Sequence, residues 1–222
     1  MEKYSMATLP LPETRDAAFL DRQPINLKKA GHGLFRRSRP LWFEYLWMIV
    51  ERIFVNNSLQ PSTRVRVFLL RLFGAKIGRD TLIRNIHVKF PWNLEIGDRC
   101  WLGEGVWLHN QDKLTIGADS VISQQSFVTT GSHDVRETMD LITRPVNIGR
   151  GVWVTSRCII LAGVDIGDNA VLTPGSVANR SLAASGIFSG NPARFQRPRW
   201  NQEPVTADAS GLHLIRSGGK TL

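Results

Sequence analysis

From Ile77 onward an aliphatic residue returns every six positions, and very few folds accommodate that period. The series runs Ile77 and Ile83, then Ile96, Leu102 and Leu108, then Ile116, Ile122 and Val128. It resumes at Ile148, Val154, Ile160, Ile166 and Leu172, and Ala178 closes it. Four residues after an aliphatic comes a smaller one: Cys100, Val106, Ser120, Ser126, Val152, Cys158, Val164, Ala170 and Ser176. Gly78, Gly97, Gly103, Gly117, Gly149 and Gly167 directly follow aliphatics. A helix repeats every 3.6 residues and a strand every two, so neither gives six. A hexapeptide repeat marks a parallel β-helix. Three hexads make one triangular coil, with the aliphatic pointing inward and the smaller residue where the interior narrows. Glycine or a small polar residue suits the turns. Each coil buries its neighbour's apolar face, so the coils stabilise one another. The expected fold class is all-β, a parallel β-helix preceded by short N-terminal helices.

Breaks in register show where the chain leaves this wall. Ile77 to Ile96 is one residue longer than a coil, and Ile96 to Ile116 is two longer. Val128 to Ile148 is 20 where six is due, so about fourteen residues are extruded between Thr130 and Val146. Loops that leave a rigid scaffold commonly carry function. Upstream, residues 40–56 and 62–73 read as two helices, the second capped by Pro61-Ser62. The organisation is a flexible arm at 1–34, a helical segment at 35–76, the β-helix at 77–197 with its loop at 131–147, and a polar tail at 198–222.

The net charge of +9 is local. Residues 28–79 hold eleven Lys and Arg against Glu44 and Glu51 alone, while the remainder balances at seventeen of each sign. That segment interleaves its charge with Phe35, Trp42, Phe43, Tyr45 and Trp47. Two readings stand: these aromatics cap the open end of the β-helix, or the segment makes a peripheral contact with an anionic membrane. No nucleic-acid motif accompanies the charge. The apolar run Tyr45–Val50 is far short of the roughly 20 residues a membrane span needs. Met1-Glu2-Lys3-Tyr4-Ser5 opens without the apolar run of a secretory signal. Two cysteines make no disulfide framework, so a cytoplasmic location is expected. Cys100 and Cys158 occupy inward positions and are expected to be core thiols, not nucleophiles.

Thr-Gly-Ser-His-Asp at 130–134, Ile-Gly-Arg-Gly-Val-Trp at 148–153 and Gly-Asn-Pro-Ala-Arg at 190–194 accompany the hexads. With them, residues 60–197 resemble the hexapeptide-repeat acetyltransferases, most of all the colanic acid biosynthesis branch related to galactoside and maltose acetyltransferases. The resemblance implies a left-handed β-helix and transfer of an acetyl group from acetyl-CoA to a sugar hydroxyl, in exopolysaccharide biosynthesis, with no metal. It implies His133 as the base for the acceptor hydroxyl, a role suited to an imidazole; Asp134 is a candidate to orient it. Asn110 and Asp112, one coil below, are implied acceptor contacts, with an ordinary Asx turn as the alternative. Trp153, Ser156 and Pro174 are implied along the pantetheine arm. Asn179, Arg180, Arg194 and Arg197 are implied at the phosphates, which a guanidinium grips in pairs. Thr155 stands where the family has Gly, a departure that would narrow the thioester channel, and Asn179-Arg180 replaces Thr-Lys. The resemblance further implies a homotrimer with active sites between subunits and a sugar or lipid-linked saccharide acceptor.

Two rivals remain. A zinc enzyme of the gamma-type carbonic anhydrase kind needs three converging imidazoles. His87, His109 and His133 are 22 and 24 residues apart, a spacing that argues against convergence. His32 and His213 lie in polar segments. The other rival is a non-catalytic β-helix scaffold.

Overall fold

The computed structural model describes residues 24–33 and 35–200. Within them the chain forms two compact units: described residues up to Arg36 together with Ser132–Ile142, and Arg37–Gly131 together with the chain from Thr143 onward.

The second unit is a parallel β-helix built of short strands. Its first coil is β1 (Lys76–Ile77), β2 (Leu82–Ile83) and β3 (His87–Val88); the second is β4 (Leu94–Ile96), β5 (Trp101–Leu102) and β6 (Trp107–His109). The third is β7 (Leu114–Ile116), β8 (Val121–Ile122) and β9 (Phe127–Thr129). A ribbon of β10 (Gly131–His133) and β11 (Leu141–Thr143) follows. The wall resumes with β12 (Val146–Ile148), β13 (Trp153–Val154) and β14 (Ile159–Ile160), then β15 (Asp165–Ile166), β16 (Val171–Leu172) and β17 (Val177–Ala178). β18 (Gly186–Ser189) and the antiparallel β19 (Arg194–Pro198) close it. Three sheets result: β1-β4-β7-β12-β15, then β2-β5-β8-β13-β16-β18-β19, then β3-β6-β9-β14-β17. Because β19 runs to Pro198, the folded wall reaches into what the sequence assigns to the tail. The remaining tail residues from 201, His213 among them, and arm residues 1–23 lie outside the described residues.

Every aliphatic of the six-residue series is buried. Each Ile, Leu or Val side chain among them stabilises the wall by about 1.5–3 kcal/mol. Cys100 and Cys158 are fully buried, and desolvation pushes both thiols up from their ordinary pKa. The turns refine the expectation about glycine. Left-handed φ values fall on the third residue after the aliphatic, at Asp80, Arg99, Asp119, Gln125, Arg157 and Asn169. The glycine directly after the aliphatic has another cause. A Cβ on Gly117 would lie 2.6 Å from the carbonyl carbon of Gly149 in the next coil, so coil stacking itself requires a bare Cα there.

The three outward ladders differ in character. On the first sheet, residues in register are Lys76, Glu95, Thr115, Asn147 and Asp165. Lys76 Nζ meets Glu95 at 2.8 Å, Thr115 donates to Asn147 at 2.7 Å, and Asn147 donates to Asp165 at 2.7 Å. The second sheet presents Leu82, Trp101, Val121, Trp153, Val171 and Ile187 in register. The third presents His87, Trp107, Phe127, Ile159 and Val177. One face is polar and two are apolar.

Two helices sit at the N-terminal end of the wall. α1 (Leu41–Val50) runs on as a π-helical turn over Glu51–Val55, and α2 (Thr63–Leu72) is capped by the Ser62 hydroxyl, which accepts from Val65 N. Trp47 is buried against Phe73, and its indole donates to the Val88 carbonyl at 2.9 Å. Phe43 packs against Phe73 and Trp92. These rings cap the wall, as one of the two sequence readings has it. Trp42 and Tyr45 do not, being 66% and 61% exposed. Two of the eleven basic residues are structural. Arg66 is buried and donates to the Val55, Asn57 and Gln60 carbonyls, closing the end of the π turn. Arg71 donates to the Ile77 and Gly78 carbonyls of the first coil.

Candidate active site

His133 ends β10 and is exposed. Its Nδ1 lies 2.9 Å from the Met139 carbonyl oxygen. A carbonyl only accepts, so Nδ1 carries the proton and the lone pair of the neutral ring sits on Nε2. A hydrogen bond on one ring nitrogen thus presents the other as a base. Met139 has a left-handed backbone, φ 56°, a conformation uncommon outside glycine. Asp134 builds the turn that delivers this carbonyl. Its carboxylate accepts from Arg136 N at 2.9 Å, Met139 N donates to its carbonyl at 2.8 Å, and its own N–H donates to Asp140 O at 2.9 Å. Backbone donors to the carboxylate, Arg136 N first and then those of Thr138 and Glu137, hold the Asp134 carboxyl below its ordinary pKa. Asp134 therefore shapes the loop, and the group touching His133 is a backbone carbonyl. The arm contributes too: Gly31 N donates to the Asp140 carboxylate at 2.6 Å, and Leu141 N donates to the Gly31 carbonyl at 3.2 Å.

The remaining candidates lie on the β-helix unit and fall into two groups. Trp153, on β13, turns its indole outward and donates from Nε1 to Ser123 Oγ at 3.1 Å. Ser156 follows in the next turn, its hydroxyl donating to Gln124 Oε1 at 3.2 Å. Pro174 stands one coil above Ser156, exposed, with Gly175 N bound to the Ser156 carbonyl at 3.1 Å. Arg194 and Arg197, both exposed, extend from β19 on the sheet that holds Trp153. Asn179 and Arg180 are exposed after β17, beyond the third sheet. Thr155 is buried and donates to the Leu172 carbonyl at 2.6 Å. It belongs to the wall and does not project into an outside channel, which corrects the expectation of a narrowing.

The turn after β6 holds the second group. His109 is half-buried, its Nδ1 3.3 Å from Thr129 Oγ1. Burial first, and Lys89 second, push its pKa down, so the ring is neutral. Asn110 differs from expectation. It is fully buried; its Oδ1 accepts from Phe90 N at 3.1 Å and its Nδ2 donates to Phe90 O at 2.7 Å. The amide thus imitates one rung of a β-ladder between coils and presents nothing outward. Asp112 remains half-exposed, its carboxylate accepting from Lys113 N at 2.7 Å and its own N–H donating to Thr130 Oγ1 at 2.8 Å. Beside this turn, a cleft of about 300 Å³ is lined by Trp47, Met48, Glu51, His87, Trp107 and His109. His87 Nδ1 is 3.0 Å from Glu51 Oε1. Among the described residues no group of three or more His, Cys, Asp or Glu is placed to hold a metal.

The wall of hexads is that of the hexapeptide-repeat acetyltransferases, and the chain belongs to that family. It is 41% identical over 160 residues to the putative colanic acid biosynthesis acetyltransferase WcaF of Escherichia coli (strain K12), covering 71% of this chain and 88% of that protein. It is 25% identical over 147 residues to the galactoside O-acetyltransferase of the same organism, covering 64% and 72%. The fold matches a hexapeptide-repeat acetyltransferase from Vibrio cholerae O1 biovar eltor, complexed with acetyl coenzyme A, at a TM-score of 0.67. That pair is 24% identical, with 72% of this chain and 88% of that one covered. No family model matches the chain.

Proposed function

We propose that the protein transfers an acetyl group from acetyl-CoA to a sugar hydroxyl, in exopolysaccharide assembly, with His133 as general base. The observation that carries this is the His133–Met139 hydrogen bond, which leaves Nε2 as the acceptor of a proton. In the reaction Nε2 takes the hydroxyl proton as the oxygen attacks the thioester carbonyl. The tetrahedral intermediate then collapses, the C–S bond breaks, and the imidazolium returns its proton to the leaving thiolate. Trp153, Ser156 and Pro174 would line the pantetheine arm. Asn179, Arg180, Arg194 and Arg197 would meet the phosphates, and Asp112 the acceptor. Support for the donor comes from the relatives: the Vibrio cholerae structure holds acetyl coenzyme A, and a galactoside acetyltransferase of the same fold, 22% identical at a TM-score of 0.66, holds coenzyme A. The sugar acceptor rests on the names of the colanic acid and galactoside relatives.

The assembly we propose is a trimer, and the outward ladders support it. Two apolar faces of different composition cannot satisfy each other across a two-fold axis, where each patch meets itself. Packing the second face of one protomer on the third face of the next is a heterologous contact, the kind that makes a closed ring when each step turns by a third of a circle. Trp101 is 57% exposed on the second face. Trp101→Glu is expected to give a folded monomer by sedimentation that has lost its activity; a fully active monomer would end this reading.

Calorimetric titration of acetyl-CoA into the full chain tests the donor site. Binding is expected, and weaker binding by Arg194→Ala. A wild type that binds no acetyl-CoA favours instead a scaffold that has lost its chemistry.

A further inference from the structure

α1 is turned inside out for a helix in water. Glu44 of α1 and Glu51, which opens the π turn, lie on the inward side, their side chains only 15% and 12% exposed and paired with Arg37 and His87. The outward arc is Leu41, Trp42, Tyr45, Met48, Ile49 and Arg52, exposed throughout. The π turn extends it with Ile53 and Phe54. A surface helix ordinarily presents its polar face to solvent, and a contiguous apolar patch of this kind marks an interaction site. The charge along this stretch of chain is mostly of one sign. Between residues 37 and 79 the only acids are those two inward glutamates. The exposed ionic groups there, Arg39, Arg52, Arg64 and Arg79 among them, are basic.

We infer that this face seats the protein on a bilayer that carries anionic lipid, with α1 lying in the headgroup region. The chemistry fits on each count. Aromatic residues with a polar edge, such as Trp42 and Tyr45, favour the membrane–water boundary. Leu41, Met48 and Ile49 add apolar burial, and the arginines attract phosphates. No helix among the described residues is long and apolar enough to cross a membrane, so the contact is peripheral. A second copy fits worse, because this face carries basic residues and no exposed acid of its own to answer them across an isologous contact. The inference does not use the acetyl-transfer reading, and its test does not measure activity.

The test is co-sedimentation of the full chain with vesicles of phosphatidylcholine alone or with about one third phosphatidylglycerol, with sedimentation velocity of the free protein alongside. Strong binding to the anionic vesicles is expected, falling as salt is raised. Arg52→Gln should bind about fivefold more weakly. Ile49→Glu, which places an acid in the middle of the arc, should lose roughly tenfold to a hundredfold. Tyr45→Ser provides a milder second variant, and unchanged melting temperatures confirm that each variant is folded. A wild type that ignores anionic vesicles overturns the inference. So does binding that all three variants retain in full. Ile49→Glu splitting the free assembly into smaller species, without any vesicle binding by the wild type, would assign the face to a second copy.

Discussion

The β-helix wall and the loop over residues 131–147 are held together in opposite ways. The wall is redundant: each coil repeats the same inward aliphatic and the same parallel rungs, so any one coil has two neighbours doing the same job. The loop is built from single contacts. One carbonyl with a left-handed backbone, at Met139, fixes His133, and one carboxylate, at Asp134, fixes the turn that holds Met139. Redundancy suits a scaffold, because loss of one contact lowers stability without moving the rest. Single contacts suit a reacting group, because its direction must be set once and tightly. Damage to the wall should therefore appear in stability, and damage to the loop in rate.

The largest effect expected from this contrast is in the loop. His133→Ala should lower kcat by roughly 10²–10⁴-fold. The melting temperature should stay within a degree or two, and acetyl-CoA binding by calorimetry should be kept. A His133→Ala enzyme with normal kcat would remove the general-base role outright. Next in size is the wall. Ile122 is fully buried between coils, and Ile122→Ala should cost about 2–5 kcal/mol by denaturant unfolding. The kcat of the protein that remains folded should be near normal. Should Ile122→Ala instead reduce kcat as severely as stability, the wall and the loop would not be separable, and the contrast would fail.

The wall is legible in the sequence because its information is periodic: Ile116, Ile122 and Val128 need only a count of six. The loop's position was readable as a break in that count. What happens inside it was not, since the partner of His133 is a backbone carbonyl, and no residue type announces one. Asp134 was the visible candidate for that partner, and it acts one step away, on the turn. Asn110 misled for a related reason. Its neighbour Phe90 is 20 residues back, in a coil with an insertion, so the spacing alone gave no warning that the amide is enclosed. α1 resisted reading for yet another reason. Nine of its ten residues are apolar, which leaves no periodic polar face to say which side turns inward.

Asn110 provides a sharper version of the contrast, being a wall residue in a place where an acceptor contact was expected. Asn110→Ala removes the two side-chain hydrogen bonds to the Phe90 backbone in a buried site. It should cost about 1–3 kcal/mol, with KM for the acceptor unchanged. A raised acceptor KM at normal stability would return Asn110 to the binding surface.

The smallest effect expected is a pH dependence of the wall that runs through His109. Desolvation lowers its pKa in the folded protein, with Lys89 adding to the shift. The unfolded chain then binds a proton at higher pH than the native one does. By linkage, stability rises with pH wherever the unfolded state holds more protons. The contribution of His109 is thus complete above its ordinary imidazole value. It is lost progressively as pH falls through that value and on through the lower folded one. Because the ring is only half-buried and can still reach Thr129 Oγ1, the slope should be shallow. Chemical denaturation at a series of pH values from about 8 down to 5 measures it, with His109→Gln as the comparison. Gln keeps a hydrogen-bonding group of similar reach and cannot titrate, so its stability should flatten over the acid half of that range. An identical slope in the variant would place the titrating group elsewhere, and the Glu51–His87 pair across the same cleft would be the next site to substitute.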